Sequence, residues 1–97
     1  MSSQSSPNAD KSAYHRIVDA EVAMEVINSV RTKLMARVYA LELDHPAEAE
    51  RLSAKEGEIY RILRSIHFDQ PDHSAALVAQ WAPLLKDDAK FWAFFDG

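Results

Sequence analysis

From about Ser12 to Leu43, apolar residues recur at alternating spacings of three and four: Ile17, Ala20, Met24, Ile27, Leu34, Val38 and Leu41. That spacing puts them on one face of an α-helix. Ala23, Val26 and Val30 widen the stripe, while Glu21, Glu25, Ser29 and Thr32 fall on the opposite side. No Gly or Pro interrupts the segment, so the pattern predicts a single helix over about 12–43. Helices of this length in a small chain are usual in hairpins and dimers.

"LDHPAEAE" punctuates next, with Pro46 suited to the first turn of a new helix and Glu48 and Glu50 to its positive end. His45 is placed to cap it. The second stripe is Ala49, Leu52, Ile59, Leu63 and Ile66, with Ile62 beside it, and predicts a helix over about 46–68. Gly57 sits in its middle, where it marks a kink or a close backbone approach. "HFDQPDHS" is the following break, with Asp72 or Ser74 as caps. Leu77, Val78, Trp81, Leu84 and Leu85 form a third apolar face, interrupted by Pro83. Either the helix kinks at Pro83, or it ends near Gln80 and a new one starts at Pro83, giving helices over about 73–82 and 84–95; Asp87 or Asp88 then caps a last short helix, 89–95.

The fold class that follows is all-α: a long antiparallel helical hairpin with one or two shorter C-terminal helices packed across it. Residues 1–11, rich in Ser, Gln, Asn and Pro, read as a flexible N-terminal tail, and 12–97 as a single helical domain.

Each long stripe has one polar position, Arg31 in the first and Glu56 in the second. If the hairpin turns near His45, facing residues have numbers summing to about 90, which brings Arg31 and Glu56 within about one helical turn. They form a structural polar pair, within the hairpin or across a dimer. Otherwise Arg31 snorkels from the edge of the stripe and Glu56 is solvated.

The chain closes on "KFWAFFDG". On a helix, Phe91, Trp92 and Phe95 share one side and Phe94 points away. One reading has these rings, with Trp81, closing the open face of the hairpin, since two helices alone cannot complete a core. The other makes Phe91, Trp92, Phe94 and Phe95 an anchor for a partner, rimmed by Asp87, Asp88 and Asp96. The two are compatible. Val22, Val26 and Tyr39 on the first helix are the next candidates for partner binding.

Composition narrows the rest. Fifteen acidic and eleven basic residues give a net charge of −4, interspersed in sign, with no basic stripe for nucleic acid. No apolar run approaches the roughly 20 residues that span a bilayer, so no membrane partner is expected. The chain has no cysteine and no apolar leader, which points to a cytoplasmic, bacterial protein. Gly57 and Gly97 are the only glycines, so no phosphate loop or dinucleotide fingerprint exists. His67 and His73 bracket Asp69 and Asp72, but at no spacing that dictates metal geometry. No cofactor, metal or catalytic residue is assigned.

The expected function is that of a small non-enzymatic regulatory or adaptor protein. It binds and inhibits another protein through helical surfaces, as an anti-activator, antitoxin, immunity protein or phage-type inhibitor does. It is expected to be able to form a homodimer along its first helix. One alternative is a helical enzyme or ligand-binding protein with an anionic site lined by Arg16, Arg31, Arg61 and Arg64. Another is a DNA-binding regulator reading through "RILRSIH".

Overall fold

The structure, a computed structural model, describes the backbone of residues 5–96 and the side chains of residues 13–96. These residues form four helices and no strand: α1 (Ser5–Leu41), α2 (Pro46–Arg64), α3 (Pro71–Leu85) and α4 (Asp88–Asp96). The chain is all-helical. α1 packs against both α2 and α3, an arrangement consistent with a helical hairpin joined at residues 42–45. No helix among the described residues is long and apolar enough to cross a membrane.

The helix ends differ from expectation in ways that local chemistry explains. α1 begins at Ser5, inside the segment expected to be a tail; residues 1–4 and Gly97 lie outside the described residues. Pro7 falls in the first turn, where its missing N–H removes nothing from the helix. α2 stops at Arg64 because Ser65 closes it: its amide and its hydroxyl both donate to the Ile62 carbonyl, at 3.0 and 2.5 Å. α3 starts at Pro71, with Gln70 rather than Asp72 or Ser74 at its N-cap. Both α2 and α3 open on a proline at the first helical position, and neither His45 nor Gln70 makes a side-chain cap bond.

Pro83 does not split the third helix, which runs through it to Leu85. In the last turn a proline forfeits one backbone bond and leaves few later turns to distort. Its carbonyl still accepts from the Lys86 amide at 3.2 Å. The break comes at Asp87, whose Oδ1 accepts from the Lys90 amide at 3.1 Å and caps α4.

The core follows from the stripes. α1 contributes Ala20, Ala23, Ile27, Val30, Leu34 and Val38; α2 contributes Ala49, Leu52 and Ile59. Ile66, Leu77, Trp81, Phe91 and Phe95 complete it. α2 and α3 both lie on α1 but make little backbone contact with each other, so side chains rather than main chain fill the space between them. The fillers are rings. Phe91 packs on Phe95 at 5.1 Å, and Phe95 stacks on Trp81 at 5.9 Å.

Charged groups fasten α4 at both ends. Lys33 pairs with Asp88 at its start and also lies 5.0 Å from the centre of the Phe91 ring. The hydrogen bond from Lys33 holds the Asp88 carboxyl below its ordinary pKa. Arg37 stands over Trp92 at 3.9 Å. Arg51 of α2 donates to the Phe95 carbonyl at 2.5 Å and pairs with Glu48 and Asp96. Its hydrogen bonds likewise hold the Glu48 carboxyl below the usual range.

Phe91→Ala should lower unfolding free energy by about 3–5 kcal/mol, because the ring is wholly enclosed. Phe94→Ala, at a half-exposed ring, should cost well under half of that, and urea titration separates the two. Gly57 is not a close backbone approach: an added Cβ would meet nothing within 4 Å and the residue has no positive φ. Gly57→Ala should therefore raise stability by roughly 0.5–1 kcal/mol in the same assay.

Candidate functional site

The residues expected to bind a partner do not form one surface. Phe91 and Phe95 lie in the core, so as placed they offer no ring to a partner. Trp92 is half-buried beneath Arg37. Phe94 is half exposed and stands edge-on to Trp81 at 5.0 Å. The cause is the turn of a helix: positions 91 and 95 share the face that meets the core, and 94 lies outside it.

Val22, Val26 and Tyr39 also separate. At 100° per residue, Val22 and Val26 lie on the edge of α1 shared with Lys33 and Arg37, which faces α4. Val26 packs against the core. Tyr39 is on the other edge of α1, beside α2, and is 66% exposed.

That second edge holds the most developed surface. Asn28, Arg31, Thr32, Met35, Ala36 and Tyr39 of α1, with Glu56 of α2, line a groove of about 400 Å³. At its centre Arg31 Nε donates to Glu56 Oε2 at 2.7 Å, and Arg31 Nη1 to Asn28 Oδ1 at 3.3 Å. The hairpin register thus brings the two polar seam residues together. The Arg31 guanidinium also lies 4.7 Å from the centre of the Tyr60 ring, and Arg64 sits 5.9 Å from the same ring. Two cations thus lie near the Tyr60 ring, which remains exposed.

Further along the same edge, Ile17, Ala20, Glu21 and Met24 of α1 meet Ile66, His67 and Phe68 of the α2–α3 connection. They enclose a second groove of about 330 Å³. Ile17 and Met24 belong to the periodic stripe, yet both are exposed. α2 ends at Arg64, so on this edge the connection lies beside these turns of α1, and it leaves Ile17 and Met24 uncovered. Of the nine large hydrophobic side chains exposed among the described residues, five are on this edge: Ile17, Met24, Tyr39, Tyr60 and Phe68. Ile17 to Tyr39 spans about 33 Å of helix. Tyr60 lies off the apolar stripe of α2 and Phe68 lies in a loop, so neither belongs to a periodic apolar face.

Of the arginines of the alternative anionic site, Arg31 and Arg64 both lie by Tyr60 on this edge, and Arg16 and Arg61 line neither groove. Arg31 is engaged by Glu56, and it is the one arginine lining either groove. Among the described residues no group of His and acidic side chains is placed to hold a metal ion. His73 instead donates through Nε2 to the Ser65 oxygen at 2.8 Å, the Ser65 proton being used on Ile62. Comparison with protein-family models, with curated proteins and with solved structures finds no match to this chain.

The polar pair has a measurable signature. Arg31→Met alone should strand a half-buried carboxylate and destabilise the protein by about 1–3 kcal/mol. Adding Glu56→Met should recover much of that loss, since an apolar pair removes both desolvated charges. A double-mutant cycle in urea reads the coupling. Small, additive effects would show that the pair contributes nothing to the fold.

Proposed function

We propose that the protein is a small non-enzymatic regulatory adaptor that docks an amphipathic helix of another protein along the α1–α2 edge. The carrying observation is the clustering of exposed Ile17, Met24, Tyr39, Tyr60 and Phe68 on one edge of the hairpin. Exposed apolar groups scattered singly need no explanation, but a line of them flanking two grooves fits an interaction site. Recognition of a helix in a groove uses anchors repeated at i, i+3, i+4 and i+7, and a groove between two parallel-running cylinders suits that geometry. Aromatic and methionine side chains supply large contact area, and methionine adapts its shape to the partner. The Arg31–Glu56 pair at the centre supports polar contacts that fix which way the partner lies. The inhibitory role, the cytoplasmic setting and pairing with a second copy belong to the same reading, and the same edge is where a homodimer along α1 forms.

Photocrosslinking tests it. A benzophenone amino acid is placed singly at 24 and 39 on the proposed edge, and at 22 on the opposite edge, in the cells the protein comes from. The expected result is one protein crosslinked from 24 and 39 and not from 22, through a segment with an apolar helical stripe. Crosslinks to the protein itself from 24 and 39 would replace the hetero-partner with a homodimer. Equal crosslinking from all three positions, or none from 24 and 39, would overturn the assignment of this edge.

A further inference from the structure

Trp81 is 2% exposed, and its indole Nε1–H has no acceptor in the protein. A buried indole N–H ordinarily finds a partner, and leaving one unpaired opposes folding. Trp81 also lines a cleft of about 380 Å³ between α2, α3 and α4, a volume in the range of small-molecule sites. The cleft exists because α2 and α3 are held apart on α1 and the rings fill the gap incompletely. One side of it is apolar, Ile59, Ile62, Trp81, Phe94 and Phe95, and the other is polar, Lys55, Glu58 and Gln80.

Two further features select the ligand. Phe94 stands edge-on to Trp81 at 5.0 Å and is half exposed, so its ring is free to turn away from the indole. Lys55 lies at the mouth, and its nearest carboxylate, Glu58, is 4.0 Å away, the outer limit of an ion pair. A pair so long and exposed is weak, which leaves the ammonium ready for another anion.

We propose that this cleft binds a small planar aromatic molecule bearing a carboxylate. The ring lies against Trp81 and Phe94, where offset and edge-on contacts are favoured. One carboxylate oxygen accepts the Trp81 N–H once Phe94 turns aside, and the charge is met by Lys55. The site stands apart from the α1–α2 edge: α2 offers it Ile59 and Ile62, not Glu56 and Tyr60.

The test is a titration of the full ¹⁵N-labelled chain with 2-naphthoate, followed through the two indole N–H signals and assigned with Trp92→Phe. The Trp81 signal should move downfield and saturate, with a dissociation constant at or below about 1 mM, while that of Trp92 stays in place. Gln80→Trp, at an exposed position on the rim, closes the mouth without touching the core and should weaken binding at least about tenfold. Lys55→Met should weaken 2-naphthoate several-fold and leave the neutral 2-naphthamide unchanged. No saturable shift of the Trp81 signal at about 5 mM, or binding indifferent to Gln80→Trp, would overturn the proposal. A shift of both indole signals alike would also overturn it, as non-specific adsorption.

Discussion

Everything in this fold depends on a wedge of aromatic rings. α1 offers a broad apolar face, and α2 and α3 each cover one side of it with little backbone contact between them. A hairpin of two helices cannot close a core, and a third helix held at a distance leaves a gap. Trp81, Phe91 and Phe95 fill most of that gap and are nearly inaccessible. A chain of this length buries a modest share of its surface, so three rings are a large part of what holds it folded. The dependence runs both ways. α4 has nine residues, too few for a helix to persist by itself, and its order rests on the burial of two of its three phenylalanines, Phe91 and Phe95. The ends are electrostatically matched as well: Asp88 sits in the first turn, and Arg51 donates to the Phe95 carbonyl in the last.

How much of this could be read from the sequence depends on what each signal encodes. Periodicity encodes angle around a helix, and there the reading is informative: Ala20, Ile27, Leu34, Val38, Leu52, Ile59, Leu77 and Trp81 are core. The split within "FWAFF", with Phe94 apart from Phe91 and Phe95, has the same origin. Periodicity does not encode whether a neighbour is present at a given height. Ile17 and Met24 satisfy the stripe yet are exposed, because α2 has already ended where they lie. Proline is ambiguous in the sequence for a related reason: its effect depends on how many turns follow it, and only Leu84 and Leu85 follow Pro83 in α3. Val22 and Tyr39 both lie outside the main stripe, but at 100° per residue they leave it in opposite directions.

The polar pair was legible because it combined two independent signals, an angle on each helix and a hairpin register. Arg31 and Glu56 interrupt their stripes at heights that coincide only if the turn lies near His45. A one-turn slip of α2 along α1 would leave Glu56 against apolar neighbours and Arg31 without its acceptor. The penalty for that slip comes from unpaired, partly buried charge rather than from lost apolar contact, which a slipped stripe largely keeps. The pair therefore discriminates between registers more strongly than it stabilises the correct one.

The same register places both proposed surfaces. α2 is their common wall: Glu56 and Tyr60 face the grooved edge with α1, and Ile59 and Ile62 face the cleft toward α3. Between them, Leu52 and Ile59 are buried against α1 and leave α2 little freedom to roll. A groove and a cleft built on the two edges of one helix hold their shape only if that helix cannot slide or rotate. Sliding is opposed by the Arg31–Glu56 bond on one edge, and rotation by the ring wedge on the other. A polar contact of ordinary strength and a handful of phenyl rings thus fix the geometry of both surfaces, although neither surface uses the most deeply buried ring, Phe91, at all.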